Sequence, residues 1–156
     1  MSDKKIKVYT DGSSRGNPGP GGYGIILSFG GKQTELSQGF RHTTNNRMEL
    51  LAVIVALEKI KNRSYTVVIH TDSKYVIDSI TKGWVFGWAK KGFKGKKNPD
   101  LWQRYLELHP HFNLEFIWIK GHAGHAQNER CDTLAVSAAT ETPTYITIAV
   151  PRRLII

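Results

Sequence analysis

The chain has 156 residues, 40% of them hydrophobic and 22% charged, the balance expected of one ordinary soluble domain with a proper core. No apolar run approaches the roughly 20 residues that span a bilayer, Met1–Lys5 lacks a signal-peptide pattern, and the single cysteine, Cys131, excludes an internal disulfide framework and fits a reducing cytoplasm. A formal net charge of +9 points to an anionic partner, nucleic acid or a membrane surface.

In Lys5–Gly24, Ile6, Val8 and Thr10 alternate with Lys5, Lys7 and Tyr9, the period of a half-buried strand that ends on Asp11. A Gly/Pro-rich loop follows, so Asp11 reads equally as the start of a turn. Tyr23–Phe29 and Gln33–Phe40 flank Gly30-Gly31 and read as a hairpin, which completes an antiparallel meander of three strands. Asn46–Lys61 is helical and, over Leu50–Leu57, apolar nearly all round. Tyr65–Thr71 reads as an interior strand, Ser73–Lys82 as a helix, and Asp100–His109 as a helix ended before Pro110. Leu114–Ile119 is the last strand and Asn128–Ala139 the last helix. Alternating strands and helices after a meander predict an α/β fold with a mixed sheet flanked by helices. The tail from Thr140, rich in Thr and Pro and ending Leu154-Ile155-Ile156, fits no element cleanly.

Only 13 residues are acidic, so their placement carries information. Asp72 lies between a strand and a helix, where an N-cap is an ordinary role. Glu49 stands three residues after Asn46, the spacing of a capping box, yet shares a helical face with Ala52, Val53 and Ala56. Asp132 lies mid-helix on a face with Ala135, Val136 and Ala139, where Asp has poor propensity. Parallel neighbouring strands would bring Asp11 and Asp72 together at one sheet edge. Converging carboxylates repel unless cations lie between them, and hard oxygen ligands select magnesium or manganese over zinc. Two such ions, roughly 4 Å apart, form a clamp for in-line phosphodiester displacement. The Gly/Pro loop lacks the Lys-Ser/Thr of a P-loop and is no nucleotide cradle.

YTDGSSRGNPGPGGYG, TTNNRMEL, TDSKYV, DLWQR and WIKGHAGHAQNERCDTLA together resemble bacterial type 1 ribonuclease H, in order, from about Lys5 to Ala139. The resemblance implies an RNase H-like α/β fold, with a five-stranded mixed sheet of three antiparallel strands followed by parallel ones. It implies a domain over residues 1–140 and a tail, 141–156, of no assigned role. It also implies an endoribonuclease that hydrolyses the RNA strand of RNA/DNA hybrids with two Mg2+ ions, Mn2+ substituting, and leaves 3′-hydroxyl and 5′-phosphate ends. By motif, Asp11 would bridge both ions, Glu49 and Asp72 would hold the ion on the leaving-group side, and Asp132 the ion that activates water. His122, on a Gly/Ala loop, would assist proton transfer or product release, with His125 ancillary.

Lys82–Asn98 holds six lysines and no acid, interleaved with Trp84, Phe86, Trp88 and Phe93. It reads as a solvated basic loop over an aromatic anchor, or as a phosphate-tracking surface with salt-sensitive affinity. The resemblance favours the second and points to Trp84, Trp88, Lys90 and Lys91. It adds Asn17, Thr44, Asn45 and Asn46 as contacts to a hybrid's wide minor groove, where 2′-hydroxyls are exposed. Lys74 stands where many relatives carry Gln and is expected to meet phosphate instead; Ser14 stands for a common Cys. The resemblance makes the protein a monomer. The alternatives are a non-catalytic hybrid-binding module, against which all four retained carboxylates argue, and a DNA-cutting two-metal nuclease of related fold.

Overall fold

A computed structural model describes residues 4–120 and 125–141. One sheet of five strands has the order β3-β2-β1-β4-β5, built from β1 (Lys5–Ser14), β2 (Gly19–Phe29), β3 (Lys32–Thr43), β4 (Thr66–Thr71) and β5 (Asn113–Trp118). The first three strands are antiparallel, whereas β4 runs parallel to both β1 and β5. Gly30 and Gly31, both at positive φ, close the β2–β3 hairpin as the sequence predicts.

Five helices complete the described chain: α1 (Asn45–Glu58), α2 (Lys74–Thr81), α3 (Trp84–Lys90), α4 (Pro99–Leu108) and α5 (Ala126–Thr140). Helix α1 lies on β1 and β2 with α2 and α4 against it, and α5 packs on β1, β2 and β3. From Met48 to Leu57 every residue of α1 is buried, so its apolar circumference marks the centre of the core. Ile6, Val8, Ile25 and Leu27 from the sheet and Trp102 and Tyr105 from α4 pack into that core. No helix among the described residues is long and apolar enough to cross a membrane.

The structure revises several sequence expectations. Strand β1 does not end at Asp11 but continues to Ser14, because Gly12–Ser14 pair with Gly21–Tyr23 of β2. Ladder hydrogen bonds outweigh the poor strand propensity of glycine there. Helix α1 is capped by Thr44, whose Oγ1 accepts the Arg47 N–H at 3.2 Å, so Glu49 is not part of a capping box with Asn46. Likewise Ser73, not Asp72, caps α2. Both carboxylates are thereby released from structural duty. Helix α3 was concealed by its shortness and by Gly87, and a 3-10 turn, His109–His111, carries the chain through Pro110.

Candidate active site

The parallel register Tyr9↔His70 sets Asp11 and Asp72 level with each other two residues past the last β1–β4 pair, at the carboxyl end of both strands. Glu49 comes from the second turn of α1, above the same edge. One carboxylate oxygen from each of Asp11, Glu49 and Asp72 lies within 4.8 Å of the others. Asp132 enters from α5, close enough to Asp11 for its negative charge to raise the proton affinity of the Asp11 carboxyl. Three of the four predicted carboxylates therefore meet within 4.8 Å of one another, and Asp132 faces Asp11 beside them.

Glycines permit that approach. A Cβ on Gly12 would lie 2.5 Å from the Glu49 backbone nitrogen and 2.6 Å from the Met48 carbonyl carbon, so only glycine lets β1 lie so close to α1. A Cβ on Gly24 would collide with the Cys131 carbonyl oxygen, so glycine again sets the seat of α5 on the sheet. Cys131 Sγ donates to the Tyr9 carbonyl at 3.3 Å and fixes α5 beside β1, one residue before Asp132. Burial pushes that thiol up to about 12, so it remains a neutral structural group.

Electrostatics make the cluster a strained set of like charges. Burial, then the charges of Asp72 and Asp132, pushes the Asp11 carboxyl from its ordinary 3.8 to about 8, against one opposing hydrogen bond from Gly12 N–H at 3.0 Å. Glu49 is raised well above the usual carboxylate range by burial and by the charges of Asp11 and Asp72. Glu49 Oε1 and Asp72 Oδ1 are buried with no hydrogen-bond partner among the described residues. Buried carboxylate oxygens without donors among the described residues, in a set of hard ligands of like charge, fit divalent cations of the magnesium class. A cation would replace the protons the cluster otherwise holds.

Beside this edge, the Asn45 N–H donates to Asn17 Oδ1 at 3.0 Å, which ties the loop after β1 to the start of α1. Asn17, Asn45 and Asn46 are exposed, and Thr44 is half-buried and occupied with capping. On the other side of α2 is a largely apolar cleft of about 340 Å³ lined by Tyr75, Ser79, Trp84, Trp88, Gly95, Lys96 and Lys97. Lys96 Nζ lies 5.2 Å from the Trp88 ring centroid, and Trp88 is edge-on to the fully buried Trp102 at 6.1 Å. Thus the aromatic residues of the basic segment have a packed base and a lysine rim.

Residues 3–140 match the family model described as RNase H. The chain belongs to the RNase H family. It is 54% identical over 143 residues to a ribonuclease H of Desulforamulus reducens, covering 88% of this chain and 89% of the relative. It is 50% identical over 146 residues to a ribonuclease H of Rippkaea orientalis, with 90% and 89% covered. Among solved structures it resembles LC9-RNase H1, a type 1 RNase H with the type 2 active-site motif, at a TM-score of 0.78 and 37% identity over 89% of this chain and 74% of that one. It also resembles LC11-RNase H1 in complex with RNA/DNA hybrid, at a TM-score of 0.64 and 29% identity over 86% and 96% of the two chains.

Within this RNase H frame, most sequence-predicted residues sit at the two surfaces just described. His122 lies outside the described residues, and His125 is exposed at the start of α5. Lys90 and Lys91 are exposed at the end of α3 and do not line the cleft, whereas Lys96 and Lys97 do. Those two lysines were part of the same six-lysine run, and only the fold around Trp88 distinguishes them. Tyr75 was also missed; its hydroxyl accepts from Asn98 Nδ2 at 3.0 Å and Trp102 Nε1 at 2.9 Å and so holds the wall of the cleft. Gly12 carried a legible signal, its place beside Asp11 on a strand, but not the contact that explains it.

Proposed function

We propose that this chain is an endoribonuclease that hydrolyses the RNA strand of RNA/DNA hybrids, leaving 3′-hydroxyl and 5′-phosphate ends. The observation that carries the reading is the convergence of Asp11, Glu49 and Asp72 within 4.8 Å, with Asp132 facing Asp11. Asp11 would hold two Mg2+ ions, Glu49 and Asp72 the one on the leaving-group side, and Asp132 the one on the side of the attacking water; Mn2+ would substitute. When bound, such ions supply a water of lowered pKa and neutralise charge on the departing 3′ oxygen. The carboxylates hold the scissile phosphate's surroundings rigid, because four elements and two glycine contacts fix them. His122 moves a proton or eases product release.

Binding falls to the flanking surfaces. Asn17, Thr44, Asn45 and Asn46 face the minor groove, while Trp84 and Trp88 with Lys90 and Lys91, joined by Lys96 and Lys97, track the DNA strand. Lys74 meets phosphate. The domain is assigned to residues 1–140, and the tail 141–156 receives no role. A net charge of +9 disfavours self-association and supports a monomer, and a buried free cysteine supports the reducing cytoplasm.

One gel decides the matter: RNA/DNA, RNA/RNA and DNA/DNA duplexes incubated with the protein and Mg2+. Cleavage of the RNA strand in the hybrid alone is expected. Asp11→Asn should bind the hybrid and leave it intact; cutting at the wild-type rate would sink the metal assignment.

A further inference from the structure

Lys74 opens α2, where free N–H groups carry partial positive charge and a cation is electrostatically unfavourable. Ser73 Oγ caps this end by accepting the Val76 N–H at 3.2 Å, and the first turn holds no acidic residue to offset the ammonium. Among the described residues Lys74 makes no ion pair. Its Nζ instead lies 4.4 Å from the centroid of the Trp118 ring. That indole is fastened to the active site, since its Nε1 donates to the Asp72 carbonyl oxygen at 3.3 Å, yet Trp118 stays 44% exposed.

A cation–π contact at an exposed site is a weak attraction, and a cation at the wrong helix end is a penalty of similar size. The two terms nearly cancel, so stability does not account for the arrangement. What it achieves is placement: an unpaired ammonium held beside the Asp72 corner of the carboxylate cluster. Building on the hybrid-cleaving reading above, we propose that Trp118 is a positioning residue that holds Lys74 to bind a backbone phosphate of the strand crossing the cluster. An ammonium serves this as a point charge without base preference, so the contact is salt-dependent and indifferent to sequence.

The test compares wild type, Lys74→Met, Trp118→Ala, Trp118→Phe and the Lys74→Met/Trp118→Ala double variant on RNA/DNA hybrid, in a salt series from about 50 to 200 mM. Thermal melts check that each variant folds. Losing one phosphate contact should flatten the plot of log(kcat/KM) against log salt by about 0.7–0.9 in slope. KM at low salt should rise about two- to fivefold for Lys74→Met, with most of the loss in KM rather than kcat. Trp118→Ala should flatten the slope equally, Trp118→Phe should keep it because the ring face remains, and the double variant should match Lys74→Met. An unchanged slope in Lys74→Met overturns the proposal. So does a loss confined to kcat and divalent-cation affinity, which would mean that Lys74 acts on the carboxylates. A Trp118→Ala effect that persists in the Lys74→Met background makes Trp118 structural only. The same slopes, read by hybrid binding in an Asp11→Asn background, decide the phosphate contact even if the wild-type chain cuts no hybrid and the functional reading falls.

Discussion

At the scale of single residues, the site is a balance between repulsion and what relieves it. Asp11 has an ordinary pKa of 3.8 and is held at about 8 in the folded, metal-free protein. Between those values the unfolded chain has released its proton while the folded one keeps it, so metal-free stability falls as pH rises through this window. Asn at this position carries no such burden. Asp11→Asn should therefore be more stable than wild type in EDTA, by a margin that grows from about pH 4 to pH 8 and reaches the order of a few kcal/mol. Adding Mg2+ should raise the wild-type Tm and move the variant little; a pH-independent gap in EDTA would show that no repulsion is stored there. Gly12 is the counterpart in shape. Its missing Cβ lies 2.5 Å from the Glu49 nitrogen, and backbone cannot yield as a side-chain tip can. Gly12→Ala should destabilise by about 1–3 kcal/mol and, by parting Asp11 from Glu49, lower kcat by up to about a hundredfold. Divalent-cation titration calorimetry should record weaker binding in step, and intact cation affinity would contradict the contact.

At the scale of elements, the meander, the buried helix and the alternating remainder were all legible, because their periodicities reflect which faces are buried. The antiparallel run of the first three strands followed from hairpin spacing, and the five-stranded mixed sheet from the resemblance. What could not be read was local competition. Thr44 and Ser73 cap where Asn46 and Asp72 had equal claims on sequence, since a cap is decided by backbone φ and ψ rather than residue type. Helix α3 was invisible for another reason: seven residues with a central glycine have little helix signal, and packing of Val85 against the core supplies the stability. The same gap hid which lysines of the basic run face the cleft. Replacing Lys96 and Lys97 together with Ala should raise the hybrid KM more, and flatten its salt dependence more, than replacing Lys90 and Lys91. Two contacts correspond to a slope change of about 1.4–1.8. Equal effects from both pairs would mean that the hybrid follows the outside of α3 rather than the cleft.

At the scale of the whole molecule, the carboxylate cluster and the basic cleft sit on different elements, and on the proposed reading they must keep their spacing over the length of a hybrid. Arg47, two residues before Glu49, is the joint. Its guanidinium donates to both oxygens of Asp100, at 3.0 and 2.7 Å, and to Asn98 Oδ1 at 3.1 Å, while Asn98 passes a hydrogen bond on to the cleft residue Tyr75. The Arg47 hydrogen bonds hold the Asp100 carboxyl below its ordinary 3.8. As pH falls the unfolded chain takes up this proton first, so the tie's contribution is complete above 3.8 and disappears as pH drops through the depressed folded value. Because the Asp100 side chain is 45% exposed, solvent screens the pair and limits the contribution to about 1 kcal/mol or less. Asp100→Asn should thus lower the urea midpoint slightly at neutral pH and lose that deficit in strong acid. The kinetic consequence should exceed the thermodynamic one. A tie worth little in stability still sets the angle between the helix that carries Glu49 and the helix that follows the basic cleft. KM for a long hybrid should rise several-fold, and KM for a hybrid too short to span both surfaces should not. If the long and short substrates respond alike, the core alone sets the spacing and Arg47 is a surface ion pair and no more.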